Sequence, residues 1–239
     1  DGHKIKMFAG ENDEITTLLF LHGYQGYEPE TLDIFRHLCA SSSVIFDIGA
    51  NVGLYSLLAA AANPEARIFA FEPVDRVHEI LRKNIRYNRF SQITPHRVAF
   101  SDFDGEVNLY VPLQETPTGA RAGAPKKGKR SRAVPVQSIK GDSFMRQNAL
   151  EKLDLVKIDT ETTEPQVFNG MRATIERCHP KIICEVLAGR TEKELMEFFK
   201  PLGYRFWLLT DKGPVEKETI IGDPTYRFRN YLFATEPPF

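Results

Sequence analysis

The sequence predicts an α/β fold, a three-layer domain around a mostly parallel sheet with antiparallel strands at one edge. Four short apolar segments rich in β-branched and aromatic residues alternate with longer helix-prone segments: VIFDI with LYSLLAAA, RIFAFE with VDRVHEILRKNIRYN, LDLVKID with EPQVFNGMRATIERC, and KIICEV with TEKELMEFFKPLG. Such alternation is typical of βαβ units. Near the C-terminus YRFWLLT and RNYLFAT follow each other without a helix, which predicts an antiparallel pair at one edge of the sheet.

Two regions precede and follow the first of these strands. Residues 1–43 are predicted to form an N-terminal extension, and residues 44–239 the main domain. In the extension, KIKMF and TTLLFLHG read as short strands, and PETLDIFRHLCA predicts a helix with Pro29 in its first turn. We expect the extension to fold over the site as a lid that excludes water.

Composition excludes several classes of protein. The formal net charge of -1 gives no overall attraction to nucleic acid or to an anionic membrane. The three cysteines, Cys39, Cys178 and Cys184, form no CxxC pair, which argues against a zinc knuckle or a disulfide framework and favours the cytoplasm. No apolar run approaches the roughly 18 residues that a membrane span needs.

A basic segment interrupts the alternation between Pro112 and Pro135. It is rich in Gly, Pro, Lys and Arg, lacks an apolar period, and predicts a long loop between the strands EVNLYV and AVPVQ. Its cations are candidates for docking an anionic acceptor, although a loop that simply stays solvated is the alternative. They are Arg121, Lys126, Lys127, Lys129, Arg130 and Arg132.

The turn after VIFDI predicts a small-ligand cradle. Residues 49–53, GANVG, connect a strand to a helix, and we expect their amides to face outward at the helix N-terminus. The spacing Gly49-x-Asn51-x-Gly53 lacks the middle glycine of the dinucleotide fingerprint, which disfavours a pyrophosphate ligand. Glu72 ends the next strand about 20 residues later, where a carboxylate meets a ribose diol in doubly wound folds.

Together, DIGANVG, FEP and LVKIDTE resemble a class I methyltransferase that uses S-adenosylmethionine and, more narrowly, the FkbM family, over about Tyr27 to Val186. The resemblance implies a Rossmann-like sheet and O-methylation of a sugar or another small metabolite. It implies that Asp47 and the glycine turn surround the methionine part of the cofactor, Glu72 holds the ribose, and Ser101 and Asp102 lie near the adenine. The cofactor residues expected in all are Glu28, Asp47, Gly49, Ala50, Asn51, Gly53, Glu72, Pro73, Ser101 and Asp102.

One position departs from the family pattern. Where the family reads close to IDVEGAE, residues 158–164 read IDTETTE, so Thr162 replaces a glycine. If that glycine serves a turn with positive φ or a close approach of substrate, Thr162 shifts the loop or narrows the pocket.

Catalysis requires the acceptor oxygen to lie on the axis of the methyl–sulfur bond and to lose its proton. The candidate bases are the strand-end carboxylates Asp159, Glu161 and Glu185, and the alternative roles for each are helix capping and surface ion pairing. They serve either directly or through a divalent ion. In an extended strand end Asp159 and Glu161 would share one face. An RNA or protein methyltransferase and a non-catalytic cofactor-binding module are the rival functions, and nucleic acid is not the expected partner.

Overall fold

The computed structural model describes residues 4–8, 13–112, 121–122 and 131–237. The α-helices in this part of the chain are α1 (Glu14–His22), α2 (Pro29–Cys39), α3 (Leu54–Ala62), α4 (Asp75–Asn88), α5 (Gly141–Gln147), α6 (Glu164–Gly170), α7 (Arg172–Cys178) and α8 (Glu192–Phe199). The strands are β1 (Val44–Ile48), β2 (Arg67–Phe71), β3 (Ile93–His96), β4 (Ala99–Phe100), β5 (Gly105–Pro112), β6 (Arg121–Ala122), β7 (Ser131–Ile139), β8 (Leu155–Ile158), β9 (Lys181–Glu185), β10 (Arg205–Thr210), β11 (Gly213–Lys217) and β12 (Asn230–Ala234).

The main sheet has the strand order β11-β10-β12-β9-β8-β1-β2-β3. Strands β9, β8, β1, β2 and β3 pair in parallel, whereas β12 is antiparallel to both β9 and β10. The predicted mostly parallel sheet with an antiparallel edge is therefore confirmed. Successive β1 residues point to opposite faces, so Ile45 packs with α2, α3 and α4, and Phe46 with α5, α6, α7 and α8. These two cores make the three layers.

The predicted antiparallel pairing of the C-terminal strands is confirmed, and the structure adds a third strand at that edge. Strands β10 and β12 do pair antiparallel, but β12 lies between β9 and β10, and β11 forms the edge. The reason is a tight turn: Thr210 pairs with Gly213, whose φ of 97° is accessible to glycine, so the chain turns back at once as a hairpin. The chain that follows β11 then forms β12, which lies between β9 and β10.

The basic segment contains more strand than predicted. Strand β5 extends to Pro112 and β7 begins at Ser131, and these two strands pair antiparallel in a second, smaller sheet with β4 and β6. Arg121 and Arg132 therefore belong to strands. An antiparallel strand with one face in solvent tolerates charged residues. These strand ends therefore lack the apolar pattern from which strands were predicted. Lys126, Lys127, Lys129 and Arg130 lie outside the described residues.

The N-terminal extension is helical where strands were predicted. TTLLFLHG lies in α1 and the following turn, because the carboxylate of Asp13 caps the helix and accepts the N–H groups of Ile15 and Thr16 at 3.2 and 3.3 Å. Residues 4–8 form no strand, and they are held instead by α4, whose Asn84 and Asn88 side chains accept the N–H groups of Phe8 and Lys6. Among the described helices none has the length and apolar character to cross a membrane.

Candidate functional site

A cavity of about 190 Å³ opens at the carboxyl ends of β1, β2, β8 and β9. Parallel strands bring their ends to one edge, so residues far apart in sequence meet there. The predicted residues in its wall are Asp47, Gly49, Ala50, Asn51, Glu72, Pro73, Asp159, Glu161 and Glu185. The predicted residues outside the wall are Glu28, Gly53, Ser101 and Asp102.

Gly49 allows the β1 and β8 ends to approach each other. Its φ is 79°, and a Cβ there would lie 1.9 Å from the carbonyl oxygen of Asp159. The amides of this turn do not face outward as predicted. Gly49 and Ala50 both donate to the carbonyl oxygen of Phe71, at 3.0 and 2.9 Å, and Asn51 donates to Glu72 at 3.0 Å. They bond to the end of β2 because it lies alongside, so the N–H groups of Gly49, Ala50 and Asn51 are engaged within the protein.

Gly53 serves packing. Its φ is 95°, and a Cβ there would lie 2.5 Å from Cδ1 of Leu81 on α4. The glycine therefore lets α3 start close against α4, beside the cavity and not in its wall.

Glu72 is a buried carboxylate whose place is fixed by two backbone amides. Asn51 N–H donates to Oε2 at 3.0 Å and Val74 N–H to Oε1 at 2.8 Å. Burial raises the pKa of Glu72 to about 7, against the opposing effect of the two amides. A carboxylate offers about four lone-pair positions, so about two remain for ligand hydroxyls. This arrangement fits the ribose diol of a nucleoside cofactor.

Asp47 lies in the same wall, deeper in the sheet. It is 2% exposed, and its Oδ2 accepts the hydroxyl of Ser56 at 2.5 Å. Burial raises its pKa to about 6 although the Ser56 hydrogen bond opposes the shift. A buried carboxylate of this kind suits a cationic neighbour.

Asp159 and Glu185 are two neighbouring carboxyl groups at the ends of β8 and β9. The N–H of Asp159 donates to the carbonyl oxygen of Ile48, which fixes its backbone, and a side-chain hydrogen bond joins its carboxylate to Glu185. Burial and then the negative charge of Asp159 raise the pKa of Glu185 well above its ordinary range, although Arg229 lies 3.3 Å away. At neutral pH Glu185 therefore favours its protonated form, and burial raises the pKa of Asp159 as well, against the opposing charge of Lys157.

Three further side chains surround this pair. Lys157 is 2% exposed, and its Nζ lies 4.8 Å from the ring centre of Tyr55. Burial opposes its charge, but Asp159, Glu28 and nearby carboxylates outweigh that effect and raise the pKa of Lys157. Glu28 accepts the Tyr55 hydroxyl at 2.7 Å and lies 3.5 Å from Arg229. Glu28 therefore lies outside the cavity wall and holds two of its residues, Tyr55 and Arg229, in place.

The sequence held a signal for one of the residues that the prediction missed. Lys157 interrupts the otherwise apolar strand LVKI, and a lysine in a buried strand needs carboxylate partners. Tyr55 and Arg229 carried no such signal, because they reach the site only through tertiary packing.

The turn after β8 has an unusual backbone. Glu161 and Thr162 have φ values of 56° and 80°, so the strand ends at Ile158, and Asp159 and Glu161 do not share one strand face as predicted. The turn is held by Glu164, whose Oε1 accepts the N–H groups of Thr160 and Thr162 at 3.0 and 3.2 Å and the Thr160 hydroxyl at 3.0 Å. Asp159 and Glu161 nevertheless both reach the cavity.

The side of the cavity facing the second sheet is apolar. Its wall there consists of Val98, Ala99, Phe100 and Leu109, together with Phe71. Ser101 and Asp102 lie just beyond: Ser101 N–H donates to Ile139, and Asp102 is exposed. An apolar wall of this kind suits a purine ring.

The extension also contributes to the wall. Glu14 and Ile15 from the first turn of α1 and Tyr27 from the segment before α2 line the cavity. Among the described residues, no group of three or more His, Cys, Asp or Glu side chains is arranged to hold a metal ion.

Comparison with known proteins identifies this architecture. The model of the methyltransferase FkbM domain matches residues 47–206, from β1 into β10. The chain belongs to the FkbM methyltransferase family. A curated relative, the hexuronic acid methyltransferase AglP of Haloferax volcanii, is 22% identical over 194 residues, which are 81% of this chain and 75% of that protein.

Solved structures place the FkbM domain among the class I Rossmann-like methyltransferase folds. The structure of methyltransferase FkbM from Methylobacillus flagellatus KT covers 81% of this chain and 43% of its own, with 16% identity and a TM-score of 0.51. An O-methyltransferase from Bacillus cereus in complex with SAH covers 92% of this chain and 89% of its own, with 11% identity and a TM-score of 0.51. At these identities the likeness shows the fold.

Proposed function

We propose that the protein transfers the methyl group of S-adenosylmethionine to a hydroxyl oxygen of a sugar or a similar small metabolite. The observation that carries the proposal is one cavity that holds both Glu72 and the Asp159–Glu185 pair. Membership of a methyltransferase family supports the reaction class. The relative AglP is a hexuronic acid methyltransferase, which supports a saccharide acceptor.

The cofactor proposal assigns roles to residues of this chain. Glu72 would accept hydrogen bonds from the ribose hydroxyls, the apolar wall that contains Phe71 and Phe100 would contact the adenine, and Asp47 with the Gly49 turn would face the methionine part. When bound, S-adenosylmethionine supplies a methyl group activated by the positive sulfur. Ile15 and Tyr27 of the extension shield that region from water, which strengthens electrostatic interactions in the cavity.

The catalytic proposal makes Asp159 the general base. As the acceptor oxygen bonds to the methyl carbon, the carbon–sulfur bond would break with its electron pair remaining on the sulfur. The hydroxyl proton would pass to the Asp159 carboxylate, which would release it to solvent afterwards. Glu185 keeps its own proton and orients Asp159 through the hydrogen bond between them. Arg229 and Lys157 limit the repulsion among the carboxylates. Glu161, in the same wall, is placed to orient the acceptor.

The test is turnover with labelled S-adenosylmethionine against sugars, other hydroxylated metabolites, RNA and protein, with calorimetry of cofactor binding. The proposal expects label in a saccharide or small hydroxylated product. Label in RNA or protein supports the first rival function, and cofactor binding without any labelled product supports the non-catalytic module. Tighter binding of NAD than of S-adenosylmethionine contradicts the cofactor assignment.

The unpaired Cys39, Cys178 and Cys184 support a cytoplasmic setting.

A further inference from the structure

We infer that the acceptor carries a hydrocarbon chain, and that this chain occupies a second, apolar cavity beside the cavity that holds Asp159. The inference rests on the proposed function and deepens it, because it names the class of acceptor that the same site serves. Three features of the described residues support it: the apolar wall of the second cavity, the exposed apolar side chains beside it, and its shared boundary with the first cavity.

The second cavity has a volume of about 490 Å³ and lies between residues 4–8, α1 and the start of α3. Small-molecule sites in proteins commonly have volumes of roughly 300–1,000 Å³. None of the wall residues that the structure describes carries a charge. Long apolar side chains make most of this wall, Met7, Leu19, Phe20, Leu32 and Leu58 among them.

Most polar groups of this wall are already bonded within the protein. Of the three hydroxyl groups in the described wall, that of Thr16 donates to the carbonyl oxygen of Asp13 at 3.4 Å, and that of Tyr24 donates to Oδ1 of Asp33 at 3.1 Å. A sugar ring bound here would leave most of its hydroxyl groups without partners, which is unfavourable. Methylene groups need no such partners, so the wall suits a hydrocarbon chain.

Two apolar side chains of α1 that line the second cavity are largely exposed to water. Phe20 is 88% exposed and Leu21 is 62% exposed. Single exposed apolar residues are common on protein surfaces, but neighbouring ones beside an apolar cavity mark a binding site. A chain in this cavity would cover part of both side chains and remove that surface from water.

The second cavity adjoins the first, which ties its occupant to the acceptor. Glu14 and Ile15 line the first cavity, Thr16 and Thr17 directly after them line the second, and Leu54 lines both. A single turn of α1, about 5.4 Å long, therefore spans the boundary. An acceptor with its sugar in the first cavity has only this short boundary to cross before its chain enters the second.

The experiment measures turnover of methyl, butyl, hexyl, octyl and decyl glycosides in the gluco, galacto and manno series, each below its critical micelle concentration. Once the chain reaches the second cavity, each added methylene group should raise kcat/KM about fourfold until the cavity is full, the change in affinity that burial of one methylene group produces.

Two exposed positions of the wall supply the variants. Thr17→Asp places a charge beside the chain, and Phe20→Ser removes an apolar contact, so each should lower the octyl-to-methyl ratio of kcat/KM about tenfold. Ile221→Ser is the matched control, because Ile221 is 67% exposed and lies outside both walls. It should leave the ratio unchanged.

The outcomes separate this inference from the proposed function. Equal kcat/KM across the series overturns the inference while saccharide methylation stands, and so does a chain-length effect that both variants leave intact. If self-association or binding to phosphatidylcholine vesicles is then abolished by Phe20→Ser, the surface belongs to a second copy or to a membrane. If S-adenosylmethionine binds but no glycoside is methylated, the saccharide function fails. Equilibrium binding to the cofactor-loaded protein then decides, and octyl glycosides that bind no more tightly than methyl glycosides overturn the inference.

Discussion

The turn that carries Asp159 should depend on a single buried oxygen. Oε1 of Glu164 accepts three hydrogen bonds, two from the backbone N–H groups of Thr160 and Thr162 and one from the Thr160 hydroxyl. Each bond to a charged acceptor contributes about 1.5–3 kcal/mol to stability. Because the three share one oxygen and the burial cost of the carboxylate is recovered on its removal, we expect Glu164→Ala to lower the free energy of unfolding by about 3 kcal/mol.

Glu164→Gln is the matched control. Its amide oxygen can accept the same three bonds without the charge, so its loss of stability should be about 1 kcal/mol. For a chain of this size, a loss of 3 kcal/mol corresponds to a fall of about 6–12 °C in Tm.

The assays are chemical denaturation and thermal unfolding of both variants, with kcat measured on whatever acceptor is found. Glu164→Ala should also lower kcat more than it weakens cofactor binding, since the turn positions Asp159 and not Glu72. The reasoning is refuted if Glu164→Ala unfolds within 0.5 kcal/mol of Glu164→Gln, because the three hydrogen bonds would then contribute nothing to stability.

Three other predictions concern the chemistry. Asp159→Asn should lower kcat by about 100-fold or more while calorimetry shows cofactor affinity little changed, and comparable turnover would remove Asp159 as the base. Because a proton on Glu185 relieves its repulsion with Asp159, no cation is needed between them and chelation should leave turnover intact; loss on chelation and recovery with Mg²⁺ would replace the proton by a cation. Glu72→Ala should weaken S-adenosylmethionine binding by about 1.5–3 kcal/mol. With a pKa of about 7, wild-type Glu72 ionises as pH rises from 6 to 8, so affinity should rise over that range and stay flat in the variant.

The parallel sheet was predictable because its signals are local. Each buried strand is a short apolar run, and each following helix carries its own period, so the order β1, α3, β2, α4 can be read segment by segment. The strand prediction for the segment that forms α1 was wrong for an equally local reason. Threonine and phenylalanine favour strands, but the Asp13 cap and the packing of Ile15 favour a helix here.

The site was predictable where a single chain segment determines it. Glu72 and Asp159 follow strand ends, and the sheet alone brings them to one edge. The direction of the Gly49 and Ala50 amides was not predictable, because their acceptor is the Phe71 carbonyl on another strand. The place of Arg229 was equally unpredictable. Its position 3.3 Å from Glu185 follows from the pairing of β12 with β9, and no pattern in either segment specifies that register.

Thr162 shows how a local conflict in the sequence can mark a site. The family pattern has glycine at this position, and the backbone keeps a φ of 80° although a β-branched residue occupies it. Holding such a residue there costs about 1–3 kcal/mol, so the surrounding contacts must enforce the conformation. Glu164 does so through the Thr162 N–H group. The turn has therefore kept a backbone shape that suits glycine while it carries a larger side chain next to Glu161, which lines the cavity. Thr162→Gly removes that side chain in a backbone conformation that glycine adopts readily, so cofactor binding should not change, whereas the KM for acceptors should change because the volume next to Glu161 is altered.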